Sequence, residues 1–167
     1  RGHLKNLGIF VNAGYKFNKN QVLSFHGRND DHKETGGNKT YKINFTQFLG
    51  GLRLGVTHST GLKNASLYEL YGNIGQKNIN PEKSETNEIF GEYSLTENIK
   101  LFSTAYRTRM KDRIKINSSW NAYENKVPDT TQEGLENEIK WLTNNQSISL
   151  VSHFAKSRTA SNGPNSR

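Results

Sequence analysis

Five histidines, at positions 3, 26, 32, 58 and 153, and 15 Asp and Glu residues are the groups here that could hold a metal or move a proton. No two histidines have the His-x-x-x-His spacing that puts both imidazoles on one helix face, and cysteine is absent, which removes thiolate centres and disulfides. His26, Asp30, Asp31 and His32 could together ligate a metal, but an ordinary polar loop accounts for them more simply. Gly-x-Ser-x-Gly and a phosphate-cradling glycine loop are both missing, and Gly36-Gly37 reads as a turn. Glu69 and Glu82 have no acid–base partner in view. Binding chemistry is better represented. Tyr68 and Tyr71 could stack on a ligand, with packing against a wall as the plainer account. Arg107, Arg109, Lys111 and Arg113 form the densest basic run; they suit an anionic ligand or lipid phosphates, against the alternative of solvated loop charge. No catalytic residue, metal or cofactor is expected.

Positioning such residues requires elements, and average composition is a poor guide to them. The chain has 32% hydrophobic residues and a net charge of +8, with a mean hydropathy of −0.85. Its basic residues are spread along the chain without a compact basic–aromatic cluster, so nucleic acid is not an expected partner. No stretch approaches the roughly 18 apolar residues of a membrane-spanning helix. The informative signal is alternation, which places every other side chain on one face of a strand. Leu7, Ile9, Val11, Ala13, Tyr15 and Phe17 oppose Asn12, Gly14, Lys16 and Asn18. The split recurs with Tyr41, Ile43 and Phe45, with Leu52, Leu54 and Val56, and with Ile89, Tyr93 and Leu95, where Phe90 alone breaks the pattern. Leu135, Ile139 and Trp141, then Ile148, Leu150 and Phe154, repeat it. Gln21 to Asp30 and Ile99 to Met110 are weaker strands.

Connections alternate in length. Tight turns are expected at Asn18-Lys19-Asn20, Leu49-Gly50-Gly51, Thr96-Glu97-Asn98 and Thr143-Asn144-Asn145. Long polar stretches fall at Asp30 to Lys39, Thr60 to Glu85, Lys111 to Asp129 and from Ala155 onward. Apolar-out, polar-in strands with short turns at one end and long loops at the other predict an all-β, antiparallel, up-and-down transmembrane β-barrel segment of about eight strands, part of a larger barrel. Tyr15, Phe17, Tyr93 and Trp141 lie beside the short turns, where aromatic rings would sit at a membrane interface. No domain boundary is visible, so residues 1–167 read as one partial barrel domain. A soluble lectin- or adhesin-like domain with its apolar faces packed together, and a passive porin, are the competing architectures.

Two motifs sharpen this. Ala65-Ser66-Leu67-Tyr68-Glu69-Leu70-Tyr71, followed by Asn80-Pro81-Glu82-Lys83-Ser84, resembles a paired signature within the barrel of TonB-dependent outer-membrane receptors, the cobalamin and siderophore receptors among them. Asn64 stands before Ala65-Ser66 where many members have Ala-Pro, and Ile79-Asn80 where many have Leu-Lys or Leu-Asp. The resemblance implies a Gram-negative outer-membrane location among lipid and lipopolysaccharide. It also implies a scarce small-molecule ligand such as a siderophore, haem or corrinoid. Import would be driven by the TonB complex acting on a plug domain, for which no sequence is recognised here. Leu67, Glu69, Leu70, Asn80, Pro81, Glu82, Lys83 and Ser84 are then motif residues. Tyr68, Tyr71, Arg107 and Arg109 become candidate contacts at the ligand mouth.

Overall fold

A single antiparallel sheet makes up most of the protein, whose computed structural model describes residues 6–32, 36–125 and 128–160. The elements are β1 (Asn6–Asn18), β2 (Gln21–His32), β3 (Gly36–Leu49), β4 (Leu52–Lys63), α1 (Leu67–Tyr71), β5 (Glu82–Ser94), β6 (Ile99–Lys111), β7 (Lys115–Ile116), β8 (Tyr123–Glu124), β9 (Thr130–Leu142) and β10 (Ser147–Thr159). Eight strands run in the order β1-β2-β3-β4-β5-β6-β9-β10, while β7 and β8 form a separate hairpin inside the β6–β9 connection. Each long strand neighbours the next in sequence, so this is an up-and-down meander, and it does not close on itself.

The ladder register carries the alternation from strand to strand. Tyr15 pairs with Leu23, Leu23 with Phe45 and Phe45 with Val56. Val56 pairs with Ile89, Ile89 with Ala105, Ala105 with Leu135 and Leu135 with Phe154. One face is therefore a continuous apolar band. On β10 it runs from Ile148 to Phe154 and on β1 from Leu7 to Phe17, roughly 20 and 33 Å along the strands at about 3.3 Å per residue. Among the described residues nothing covers it: Ile9, Ile89 and Leu150 are 61%, 65% and 70% exposed. The opposite face is polar and cross-linked by side chains. Arg53 and Lys100 both meet Glu92, at 3.1 and 3.7 Å. Asn44 donates to Thr57 at 2.8 Å, and Ser149 donates to Glu138 at 2.7 Å.

Phe90 lies on that polar face for a local reason. Its ring covers Gly55, its cross-strand partner, so closely that a β-carbon there would overlap the ring, and the Arg53 guanidinium stacks on it 5.1 Å from the centroid. Tyr106 covers Gly134 in the same way, with space for a β-carbon only 2.5 Å from the ring, and its hydroxyl meets His153 Nε2 at 3.0 Å. The apolar face has polar insets: Ser103 donates to Asn137 at 2.9 Å and Asn137 donates to Ser152 at 3.4 Å, and nearer the long loops His58 bonds Asn87 at 2.9 Å and the Tyr41 hydroxyl at 3.1 Å.

Some boundaries differ from expectation; β4 runs to Lys63 and β5 starts at Glu82, inside the Thr60 to Glu85 stretch. Strands β2 and β3 continue through Asp31 and His32 and from Gly36 onward, leaving little of the Asp30 to Lys39 stretch as loop. Likewise β10 runs on through Ala155 to Thr159. These ends are polar on both faces, which suits a hairpin that projects beyond an apolar zone, and ladder hydrogen bonds need no apolar side chains.

Candidate functional site

The buried core lies in the loops and not on the sheet. Ala65, Leu70, Ile79 and Ile114 are the buried hydrophobic residues, with Tyr123 packed against them. They come from residues 64–81 and 112–129, the two long connections at one end of the sheet. Helix α1 starts at Ser66, whose hydroxyl accepts from the Glu69 N–H at 3.2 Å while the Ser66 N–H donates to the Glu69 carboxylate at 2.7 Å. This reciprocal capping box holds a helix far shorter than the roughly 12 residues that are marginal alone in water. Partial burial works against ionisation of Glu69, but the Ser66 hydrogen bonds and the charge of Lys63 outweigh it and hold the carboxyl below its usual value of 4.5. Leu70 is the side chain α1 buries.

The second motif clamps the other loop onto the first. The Asn80 N–H donates to Asn125 Oδ1 at 2.8 Å, and Asn125 Nδ2 donates to the carbonyls of Asn80 and Asp112 at 3.0 and 2.6 Å. The Glu82 carboxylate accepts from the Ile114 N–H at 2.8 Å and meets Lys63 at 3.5 Å. Pro81 is buried between them. The Tyr123 N–H donates to the Ile74 carbonyl at 3.1 Å, and the rings of Tyr68 and Tyr123 meet edge to face at 6.3 Å. Lys83 reaches Asp112 at 3.9 Å, and Ser84 pairs with Met110 in the ladder.

This joined platform displays aromatic rings. Tyr68 and Tyr71 are 60% and 49% exposed, with the Lys77 ammonium 5.6 Å from the Tyr71 centroid, and Leu67 is also exposed. Trp120 is 77% exposed at the tip of the β7–β8 hairpin. Its φ of 59° is left-handed, an uncommon choice for a bulky residue, and the tip is pinned by Asn117 and Asn121 through bonds of 2.7 and 3.1 Å. Alternation and motif matching pass over Trp120, Tyr123 and Asn125. The sign in the sequence is Asn117 and Asn121 flanking a Trp, a turn composition around an aromatic.

Arg107 and Arg109 stand apart from the platform's rings. They follow Ala105 on the apolar face and pair with Glu133 at 3.4 Å and Asp129 at 2.7 Å. Arg113 donates to Thr130 at 3.0 Å. Tyr15, Phe17, Tyr93 and Trp141 all project from the apolar face near the short turns, with Tyr15 and Phe17 in edge contact at 5.0 Å. His26 bonds Asn12 at 2.7 Å and Asp30 bonds Arg28 at 2.6 Å. Among the described residues no three His, Asp or Glu side chains converge as a metal site, and no helix is long and apolar enough to cross a membrane.

An apolar-outside, polar-inside meander with short turns at one end and a structured loop platform at the other defines the wall of a large antiparallel barrel. The chain belongs to the TonB-dependent receptor family: the model described as "TonB dependent receptor-like, beta-barrel" matches residues 1–165. It is 27% identical over 118 residues to the vitamin B12 transporter BtuB of Vibrio cholerae serotype O1, covering 70% of this chain and 19% of that protein. The siderophore receptor PirA from Pseudomonas aeruginosa superposes with a TM-score of 0.81 at 21% identity, over 93% of this chain and 32% of that one. The copper transporter OprC gives a TM-score of 0.74 at 15% identity, over 95% and 30%. This chain thus spans about a fifth of the curated relative and about a third of these structures.

Proposed function

We propose that this chain forms part of the wall and outer mouth of a receptor in the outer membrane of a Gram-negative bacterium. The receptor would bind a scarce ligand of the iron–siderophore, haem or cobalamin class and import it with energy from the TonB complex acting through a plug domain. The apolar face meets hydrocarbon, since leaving it in water would cost about 25 cal/mol per Å². The polar face lines the lumen. By the same logic the platform of residues 64–81 and 112–129 faces the cell exterior, and the aromatics beside the short turns lie at the periplasmic interface.

The observation that carries this reading is the platform itself. Two loops distant in sequence share one core and hold Tyr68, Tyr71 and Trp120 outward. Exposed rings above a polar channel suit capture of a ligand with flat or apolar surface. A transport role also agrees with the names of the relatives, which are a vitamin B12 transporter, a siderophore receptor and a copper transporter.

The test uses the full-length receptor in cells starved of iron or cobalamin. Labelled ferric siderophores, haem and cobalamin are offered to wild type, to a TonB-deficient strain, and to Tyr68→Ala, Tyr71→Ala and Trp120→Ala variants. The expected result is uptake of one ligand that stops without TonB, with affinity weakened by about tenfold in at least one ring variant. Uptake that persists without TonB points to a passive pore. Unchanged affinity in all three variants removes the rings from the site.

A further inference from the structure

The apolar face is uneven where β6 and β9 run side by side. On β6 it carries Ser103 and Ala105, short side chains that floor two depressions. One, of about 410 Å³, is walled by Tyr93, Leu101 and Ile139, and the other, of about 600 Å³, by Ile89 and Phe154. On β9 the ladder partners of Ser103 and Ala105 are Asn137 and Leu135, which reach further from the sheet. A hollow strand thus lies beside a raised one, and toward the long loops the next such pair is Arg107 with Glu133, 3.4 Å apart.

The polar inset in this strip has a hydrogen bond to spare. An asparagine amide carries two N–H groups, and only one from Asn137 is used, toward Ser152. The other has no acceptor among the described residues, although Leu135, Ile139, Leu150 and Phe154 surround it on the ladder. Hydrocarbon offers no acceptor either, so a spare donor at that level is costly. We infer that this surface of β6 and β9 is the contact between two copies of the receptor lying side by side in the membrane. They are related by a two-fold axis along the membrane normal that passes between the two strands. Such an axis exchanges β6 with β9, so each residue on one strand meets its ladder partner from the other copy. Leu135 of the second copy then enters the depression over Ala105, and the spare Asn137 N–H meets a Ser103 hydroxyl oxygen. Arg107 meets Glu133, which joins two ion pairs into one closed set, and Arg109 meets Thr131, so like charges are not opposed. Size, hydrogen bonding and charge all match under a single exchange of the two strands. That self-complementarity chooses a second copy over an unrelated protein.

The inference rests on the apolar face being embedded in membrane. The test is disulfide cross-linking of the full-length receptor, cleared of any other cysteine, in outer-membrane vesicles from cells making two differently tagged forms. Ser103→Cys in one form and Asn137→Cys in the other should give a mixed-tag dimer on oxidation. Its yield should be about tenfold that from Leu23→Cys with Phe45→Cys, a ladder pair on the same face away from the contact. Adding Glu133→Arg to both forms gathers like charges at the axis and should lower the yield to that of the control pair. Adding Glu138→Arg, an equal change on the polar face, should leave it unaltered. A mixed dimer no more abundant than the control, or a cross-link only to a different protein, overturns the contact. Photobleaching of receptor with an unaltered wall and one fluorophore per chain supplies a readout that survives misfolding of the variants: two steps per particle are expected, and single steps throughout overturn it. A receptor that imports its ligand as single copies loses this contact alone, whereas a water-exposed apolar face defeats both readings.

Discussion

Glu69 shows how one side chain sets a local equilibrium. Its carboxylate completes the Ser66 cap, and its folded pKa lies below the usual 4.5. A depressed carboxyl contributes stability that is present above the unfolded value and is lost as pH falls through the lower folded one. Amides of α1 should therefore lose hydrogen-exchange protection on acidification below pH 4.5 in the full-length receptor. Glu69→Gln keeps a capping side chain but cannot titrate, so its protection should be flat over that range. An acid profile identical to wild type would show that Glu69 does not control the helix. The paired motif thus acts mainly as scaffolding: Ser66, Glu69, Leu70, Asn80, Pro81 and Glu82 hold the fold, and Leu67, Tyr68, Tyr71 and Lys83 are members left exposed.

At the scale of elements, the two long loops form one unit, because Leu70 and Ile79 from one share a core with Ile114 and Tyr123 from the other. Leu70→Ala should cost the platform about 2–5 kcal/mol. Exchange should then quicken in residues 64–81 and 112–129 together while the β4, β5 and β6 ladders keep their protection. Quickening confined to 64–81 would mean the loops are independent. Much of the sheet was legible in sequence because a period of two survives in Leu7 to Phe17 and Ile148 to Phe154 however polar the chain is overall. Strand β6 was less legible, since Ser103 interrupts its apolar face, where its hydroxyl donates to Asn137. Helix α1 and the β7–β8 hairpin left almost no periodic trace, being one turn and two residue pairs long. Their conformations depend on each other's loop, a tertiary term no local window contains. The turn at Asn117 to Asn121 was readable only as polar loop, so the exposure of Trp120 had no forecast.

At the largest scale, the described residues form a wall with two chemically opposite faces. Its hydrophobic residues sit outside and its polar networks inside, the reverse of a globular domain, and what buried apolar core there is lies in the platform. The proposed membrane location, lumen and ligand mouth all rest on that inversion. The most direct test is spin labelling of the full-length receptor in lipid vesicles, since this stretch has no cysteine of its own. Single cysteines would replace Val56, Ile89 and Leu150 on the apolar face and Asn44, Glu88 and Ser149 on the polar face, in a receptor cleared of any other cysteine. The expected result is collision with dissolved oxygen at the first three and with a water-soluble nickel chelate at the second three. Equal access of the chelate to both sets, or shielding of Val56, Ile89 and Leu150 from both reagents, would contradict the account.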